Sequence, residues 1–168
     1  MTNIAKDMVA AIEGAKVNIV ASVPDEWLAP VIEALNGVAT VKLAPAAREE
    51  DAIGICCGAA LAGVRALCLV QSAGALNSGG VLATLANTYG VPFIMVIADR
   101  GHLGDATVFH YEKARATRPF LAALEIPHYE LGPDFNHRAQ IEHAFQMAEA
   151  GQKPVALLIT PASFGEVK

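Results

Sequence analysis

Strand-like and helix-like patterns alternate along the whole of this chain, and that alternation constrains the fold more than any single motif. Residues 3–14 read as an amphipathic helix and Val17-Asn-Ile-Val-Ala21 as the strand that follows it. Pro24 and Asp25 open a second helix toward Leu35, where Gly37 is placed to stop it. Ala39–Leu43 reads as a short strand leading to Pro45 and then a small-residue helix from about Glu49 to Gly63. Ala66-Leu-Cys-Leu-Val70 is a continuous apolar run of the kind buried on both faces. A helix is expected from after Gly74 to about Tyr89, then a strand over Val91–Ile97 and a long irregular stretch over Ala98–Lys113. A helix near 115–124, a strand near His128–Leu131, a helix over 136–150 and a strand over Val155–Thr160 complete the series. About six strands with intervening helices imply a mostly parallel sheet covered on both faces, a three-layer α/β/α fold.

The 168 residues suit one domain spanning 1–168, and no repeat or linker divides them. A composition of 54% hydrophobic and 17% charged residues excludes disorder. It also supplies more apolar surface than one core needs, which points to a buried interface with another chain. A net charge of −5 without a dense Lys/Arg cluster argues against nucleic acid or an anionic membrane as partner. The first residues mix Lys, Asp and Glu among apolar positions, unlike a signal peptide, and the longest apolar stretch, Ala52–Val64, is too short to span a bilayer. A cytoplasmic location is the expectation. Cys56, Cys57 and Cys68 form neither a CxxC pair nor an even disulfide set and read as small buried hydrophobes, a reactive thiol being the sharper alternative.

In sheets of this kind ligands bind beyond the carboxyl ends of the strands. That rule selects Ser22–Glu26, Ala44–Asp51, Gln71–Asn77 and Ala98–Lys113. Arg48-Glu-Glu-Asp51 places three acids at a helix start, where carboxylates oppose the helix dipole. The stretch behind them, AIGICCGAALAG, is almost free of polar side chains, so a carboxylate at its mouth is poised for desolvation. Asp25 reads equally as a helix cap and as a functional carboxylate, and Gly74 and Asn77 equally as turn formers and as contacts to a ligand. Arg100, His102, His110 and Lys113 gather in one loop, whose alternative reading is a solvated surface. His128, His137 and His143 read as structural or exposed.

Glu49, with Gly58 nine positions later, resembles the start of the small-residue helix in the pyrimidine-binding domain of thiamine-diphosphate enzymes; Glu50 and Asp51 do not have that spacing. Ser22-Val-Pro-Asp-Glu-Trp-Leu-Ala-Pro30 is similar to the first loop of the sulfopyruvate and phosphonopyruvate decarboxylases. The likeness continues through Gln71-Ser-Ala-Gly-Ala-Leu-Asn77, Pro92-Phe-Ile-Met-Val-Ile97 and Arg100-Gly101, over nearly the whole chain. The resemblance implies that Glu49 bonds N1′ of the cofactor's aminopyrimidine and so promotes deprotonation of its thiazolium, the step that opens decarboxylation of a small 2-oxo acid. It implies that Asp25 shuttles a proton, that Gln71, Gly74 and Asn77 lie against the cofactor, and that Arg100, His102 or His110 meets the substrate's anionic group. Phe109 and Tyr111 depart from a site for small sulfonates and leave larger 2-oxo acids open.

The GDG…N segment that holds magnesium and the diphosphate in these enzymes is absent, as are GxGxxG and GxxxxGK[ST] loops. The expectation is therefore a hetero-oligomer. A separate diphosphate-binding (beta) subunit would carry GDG…N and most of the Mg²⁺ and diphosphate contacts, with the helix after Glu49 in the interface. A carboligase subunit with the same activation step, or a non-catalytic regulatory domain of the same fold, are the alternatives.

Overall fold

The computed structural model describes residues 3–103, 105, 107–132 and 136–164. Six strands form one sheet: β1 (Ile19–Ser22), β2 (Lys42–Pro45), β3 (Ala66–Gln71), β4 (Ile94–Ala98), β5 (His128–Glu130) and β6 (Val155–Ile159). Their order is β2-β1-β3-β4-β6-β5, and every pairing is parallel. The helices are α1 (Asn3–Gly14), α2 (Ala29–Leu35), α3 (Glu49–Leu61), α4 (Ser72–Asn77), α5 (Gly79–Val81), α6 (His110–Ala123) and α7 (His137–Gly151), with a π-helical segment at Leu82–Asn87 and a 3₁₀ turn at Pro161–Phe164.

The sheet separates two apolar layers. Met8, Ile12, Val31, Leu35, Ile141 and Phe145 from α1, α2 and α7 pack with Val20, Leu67, Leu69 and Val96 on one face. Ile53, Cys56, Cys57, Leu82 and Leu121, from α3, the π segment and α6, pack with Cys68, Val70, Met95 and Ile97 on the other. Successive residues of β3 and β4 thus serve opposite layers, which is why both strands read as unbroken apolar runs. The expected three-layer α/β/α fold is the fold found.

Several boundaries differ from the expected ones, each for a local reason. Lys16 takes a left-handed φ of 56° and Val17 donates to Ile12 O at 3.2 Å, closing α1 and delaying β1 to Ile19. The second strand starts at Lys42, because Val38 and Val41 donate back to Leu35 O and Val38 O and hold 38–41 in a turn. The helix expected after Gly74 starts already at Ser72; it breaks at Ser78, whose hydroxyl donates to Gly74 O at 2.7 Å, and resumes at Gly79 in α5 and the π segment. Helix α6 starts at His110, so the irregular stretch ends earlier than its polar composition suggests.

The connection through α2 runs on one face and the connection through α3 on the other. The chain therefore reverses direction across the sheet at β1, leaving a crevice between the carboxyl ends of β1 and β3. Asp25, Gln71 and Arg100 converge on that crevice.

Candidate functional site

Glu49 opens α3 after an extended Arg48 (φ −139°, ψ 155°). The three acids of the first turn separate by environment. Glu50 is paired with Arg48 at 2.9 Å, Asp51 is exposed, and Glu49 is half-buried with no hydrogen bond or ion pair to any described residue. Its carboxyl faces α4, where a Cβ on Gly74 would fall inside the Glu49 side chain. The room that Gly74 leaves is thus occupied by the Glu49 side chain. Only a residue without a side chain at this α4 position lets the α3 carboxylate lie there.

Beneath Glu49 the helix rests on sulfur. Cys56, Cys57 and Cys68 are buried and free. Contact with Cys56 sulfur, then burial, then the neighbouring charges of Cys56 and Glu49, push the Cys68 thiol well above its ordinary value. Burial pushes Cys57 up to about 12. Thiols so disfavoured as thiolates are packing groups. The outward face of α3 is unusual in the other direction. Asp51 is its last charge; beyond it Ile55, Gly58, Leu61 and Ala62 are exposed, and a Cβ added at Gly54 or Gly58 would meet nothing within 4 Å.

At the β1–β3 crevice Asp25 caps a turn with one oxygen and meets polar side chains with the other. Its Oδ1 accepts from the N–H groups of Trp27 at 2.9 Å and Leu28 at 3.3 Å, a turn cap leading into α2, and its Oδ2 accepts from Gln71 Nε2 at 2.7 Å. Arg100 Nη1 stands 3.6 Å from the same Oδ2. Arg100 is buried, its guanidinium 4.3 Å over the Trp27 ring, its Nε on Asp105 Oδ2 at 3.0 Å and its Nη2 3.6 Å from Glu26. Asp105, which sequence reasoning did not single out, is the hub of this loop. Its carboxylate also accepts from Gly101 N–H at 2.9 Å, Thr107 N–H at 3.1 Å and His110 Nδ1 at 2.9 Å. Burial alone would raise its pKa, but the Arg100 contact, the two backbone donors and His110 carry it well below the usual carboxylate range. Gly101 has φ 92°, and a Cβ there would collide with the His110 carbonyl, so the Asp105 turn needs glycine at that position.

Of the remaining residues, His102 and Asn77 make no hydrogen bond or ion pair with this cluster's carboxylates Asp25 and Asp105. His102 Nε2 bonds Asp99 Oδ2 at 2.8 Å beside β6, where Arg118 links Asp99 at 3.6 Å to Glu130 at 3.0 Å and Thr160 donates to Glu130 at 2.8 Å. Asn77 is exposed at the end of α4 and makes no side-chain hydrogen bond to a described residue. Phe109 and Tyr111 are exposed, and Phe109 packs edge-on to His110 with ring centroids 4.6 Å apart. His143 is exposed, whereas His128 and His137 bond backbone carbonyls. The structure therefore unites Asp25, Gln71, Arg100 and His110, pairs Glu49 with Gly74, and leaves His102 and Asn77 outside both groups. The only hint of Asp105 in the sequence was an acid among the cations of one loop.

Among the described residues no helix is long and apolar enough to cross a membrane. No protein-family model matches the chain. Curated relatives do match over most of their length. The chain is 30% identical to the sulfopyruvate decarboxylase subunit alpha of Methanococcus maripaludis over 158 residues, 94% of this chain and 94% of that protein. It is 31% identical to the subunit of the same name from Methanothermobacter thermautotrophicus over 150 residues, 89% of this chain and 91% of that protein. The Methanocaldococcus jannaschii subunit is 30% identical over 148 residues, 88% of each. Among solved structures, the 2-oxoglutarate:ferredoxin oxidoreductase of Magnetococcus marinus superposes with a TM-score of 0.67 at 18% identity, over 92% of this chain and 28% of that one, a likeness of fold.

Proposed function

The chain belongs to the family of the sulfopyruvate decarboxylase alpha subunits, and from that premise we propose that it is the pyrimidine-binding half of a thiamine-diphosphate enzyme acting on sulfopyruvate or a closely related small 2-oxo acid. It is a subunit of a heteromeric decarboxylase. The observation that carries the cofactor reading is Glu49: a half-buried carboxylate at the mouth of an apolar helix, seated in the gap left by Gly74, with no partner among the described residues. A carboxylate in that situation keeps its acceptor capacity for a ligand, and N1′ of an aminopyrimidine is a group it fits. When bound, thiamine diphosphate supplies the nucleophilic carbon and the electron sink that loss of carbon dioxide from a 2-oxo acid requires.

This chain's own groups do the rest on its side of the site. Glu49 holds and shares a proton at the aminopyrimidine, and the length of its side chain fits a seat set by Gly74. Asp25, fixed by Gln71 from β3 and by the turn at Trp27 and Leu28, holds a second proton position at the crevice. The exposed uncharged face of α3 meets the second subunit. That subunit supplies GDG…N, Mg²⁺ and the diphosphate contacts, since this chain has no GDG. The assembled enzyme acts in the cytoplasm. The test is to co-purify the chain with its partner and measure carbon dioxide release from sulfopyruvate. Loss of one general acid–base group predicts a fall of roughly 10²–10⁴-fold for Glu49→Gln. Near-normal turnover by the assembled Glu49→Gln enzyme would remove the basis of this reading.

A further inference from the structure

The loop after β4 carries three groups that suggest themselves as contacts for an anionic substrate: Arg100, His102 and His110. Their surroundings make them unequal. Arg100 faces three carboxylates: Asp105 at 3.0 Å, Asp25 at 3.6 Å and Glu26 at 3.6 Å. Trp27 covers one face of the guanidinium. A single positive charge among three negative ones offers an incoming sulfonate or carboxylate no net attraction. His102 is tied to Asp99 on the β6 side of the loop.

His110 differs from both. Its Nδ1 lies 2.9 Å from Asp105 Oδ2, and an ionised carboxylate can only accept, so Nδ1 carries the hydrogen. In the uncharged form of the ring Nε2 is then the nitrogen without a hydrogen, and no described residue bonds to it. The orienter is itself held firmly, because Asp105 also accepts from Arg100 and from two backbone N–H groups. A carboxylate that fixes a histidine's tautomer while being fixed by several donors is the arrangement that prepares an imidazole to exchange a proton at its far nitrogen.

We propose that Asp105 is the positioning residue of this site: it presents His110 with Nε2 free toward the 2-oxo acid and, through Arg100, locks the Asp25 turn to the same loop. Arg100 is accordingly a clamp between two loops, and His110 is the group of this loop that touches the substrate. The inference rests on the decarboxylase reading above.

Three variants of the assembled enzyme test it, read as kcat and KM for sulfopyruvate. Asparagine at position 110 keeps an N–H near the Nδ1 position and lacks Nε2. His110→Asn is therefore expected to retain its melting temperature within a few degrees and lose turnover by at least about 100-fold. Arg100→Lys is expected to lower kcat about tenfold or more with KM little changed, because it loosens the Asp25 clamp without removing a substrate contact. In ¹⁵N-histidine-labelled complex the His110 signal should be that of the Nδ1–H tautomer, and Asp105→Asn should abolish that preference. Wild-type turnover by His110→Asn overturns the proposal, as does an Arg100→Lys enzyme whose KM rises tenfold while kcat is kept. Should Asp105→Asn fail to fold, the other two variants still decide. A wild-type enzyme that releases carbon dioxide, is silenced by Glu49→Gln and tolerates His110→Asn would leave the decarboxylase reading standing and this inference refuted.

Discussion

Two carboxylates at the same end of the sheet meet opposite fates. Asp105 is 2% exposed at its side chain and bonded by Arg100, His110 and two backbone N–H groups, so every demand of its charge is met within the chain. Glu49 is half-buried and bonded to no described residue, and it begins a helix whose outward face beyond Asp51 is uncharged, exposed and glycine-bearing. The first region has its partners within the chain; the second shows none among the described residues. A buried group left without a partner lowers stability, and chains normally keep such groups few. On the proposed reading, the chemistry shared with a second subunit lies at Glu49 and the internal alignment of the site at Asp105.

The sharpest way to break the contrast is to exchange the consequences of the two substitutions. Glu49→Gln in the assembled enzyme should lower turnover by about 10³-fold. Its melting temperature should stay within a few degrees of wild type, because no hydrogen bond to a described residue is lost. A large loss of stability in that variant would mean that Glu49 is a structural residue after all.

Asp105→Asn should, unlike Glu49→Gln, lower stability as well as turnover. Removing one member of a buried, hydrogen-bonded charge pair costs about 3–5 kcal/mol, with Asp25 and Glu26 still beside Arg100 to soften it. The pH dependence gives a second reading. The native pKa of Asp105 lies below its unfolded value, so its contribution to stability is complete above the unfolded pKa and is lost as pH falls through the native one. Denaturant midpoints of wild type and Asp105→Asn should therefore differ by a constant amount above about pH 5 and begin to converge below about pH 4. A gap that widens on acidification would show that Asp105 is not held ionised by its donors.

The two regions were not equally legible in the sequence, and the reason is physical. Three acids at a helix start ahead of small residues are a local pattern that follows from nearest neighbours, and the family resemblance in the spacing to Gly58 singles out Glu49 among them. The strands Ala66–Gln71 and Ile94–Ala98 announced themselves in the same way, as apolar runs that only a doubly covered sheet satisfies. Asp105 has no such signature. Its role depends on a turn that Gly101 permits, on an arginine five residues back and on a histidine that begins α6. None of these is implied by periodicity. The boundaries that moved share that cause: Ser72 starts α4 and His110 starts α6 because tertiary contacts overrode a local reading of glycine and of polar loop composition. Gln71 is an expected site residue, and its hydrogen bond to Asp25 appears only when β1 and β3 are neighbours.

Gly74→Ala sharpens the comparison from the Glu49 side. Alanine suits the interior of α4 better than glycine by about 1 kcal/mol, but its Cβ would take the place of the Glu49 side chain. Glu49 has rotatable bonds and can swing aside, so the fold should survive with little change in melting temperature while the carboxylate leaves its seat. Turnover should fall roughly 10–100-fold, in keeping with the sensitivity of catalysis to displacements of about 1 Å. A fully active Gly74→Ala enzyme would show that the seat does not set the position of Glu49.

The smallest effect tests whether the open region is open for a partner. Nothing lies within 4 Å of a Cβ at Gly58, and the position is exposed in the middle of α3. Gly58→Ala should therefore stabilise the isolated chain by about 0.5–1 kcal/mol, the ordinary gain of removing glycine from a helix interior. Gly58→Leu should share much of that gain, since leucine is also a good helix former and the space around the position is empty. If this face is solvent in the working protein, neither variant affects assembly. If the second subunit packs against it, leucine holds the two backbones apart, and the dissociation constant of the complex should rise at least about tenfold, or 1.4 kcal/mol, although the free chain has become more stable. Opposite signs for folding and for assembly in one variant would identify Gly58 as a glycine kept for the partner. Equal behaviour of Gly58→Leu and wild type in the complex would move the interface off α3 and leave Glu49 without its proposed neighbour.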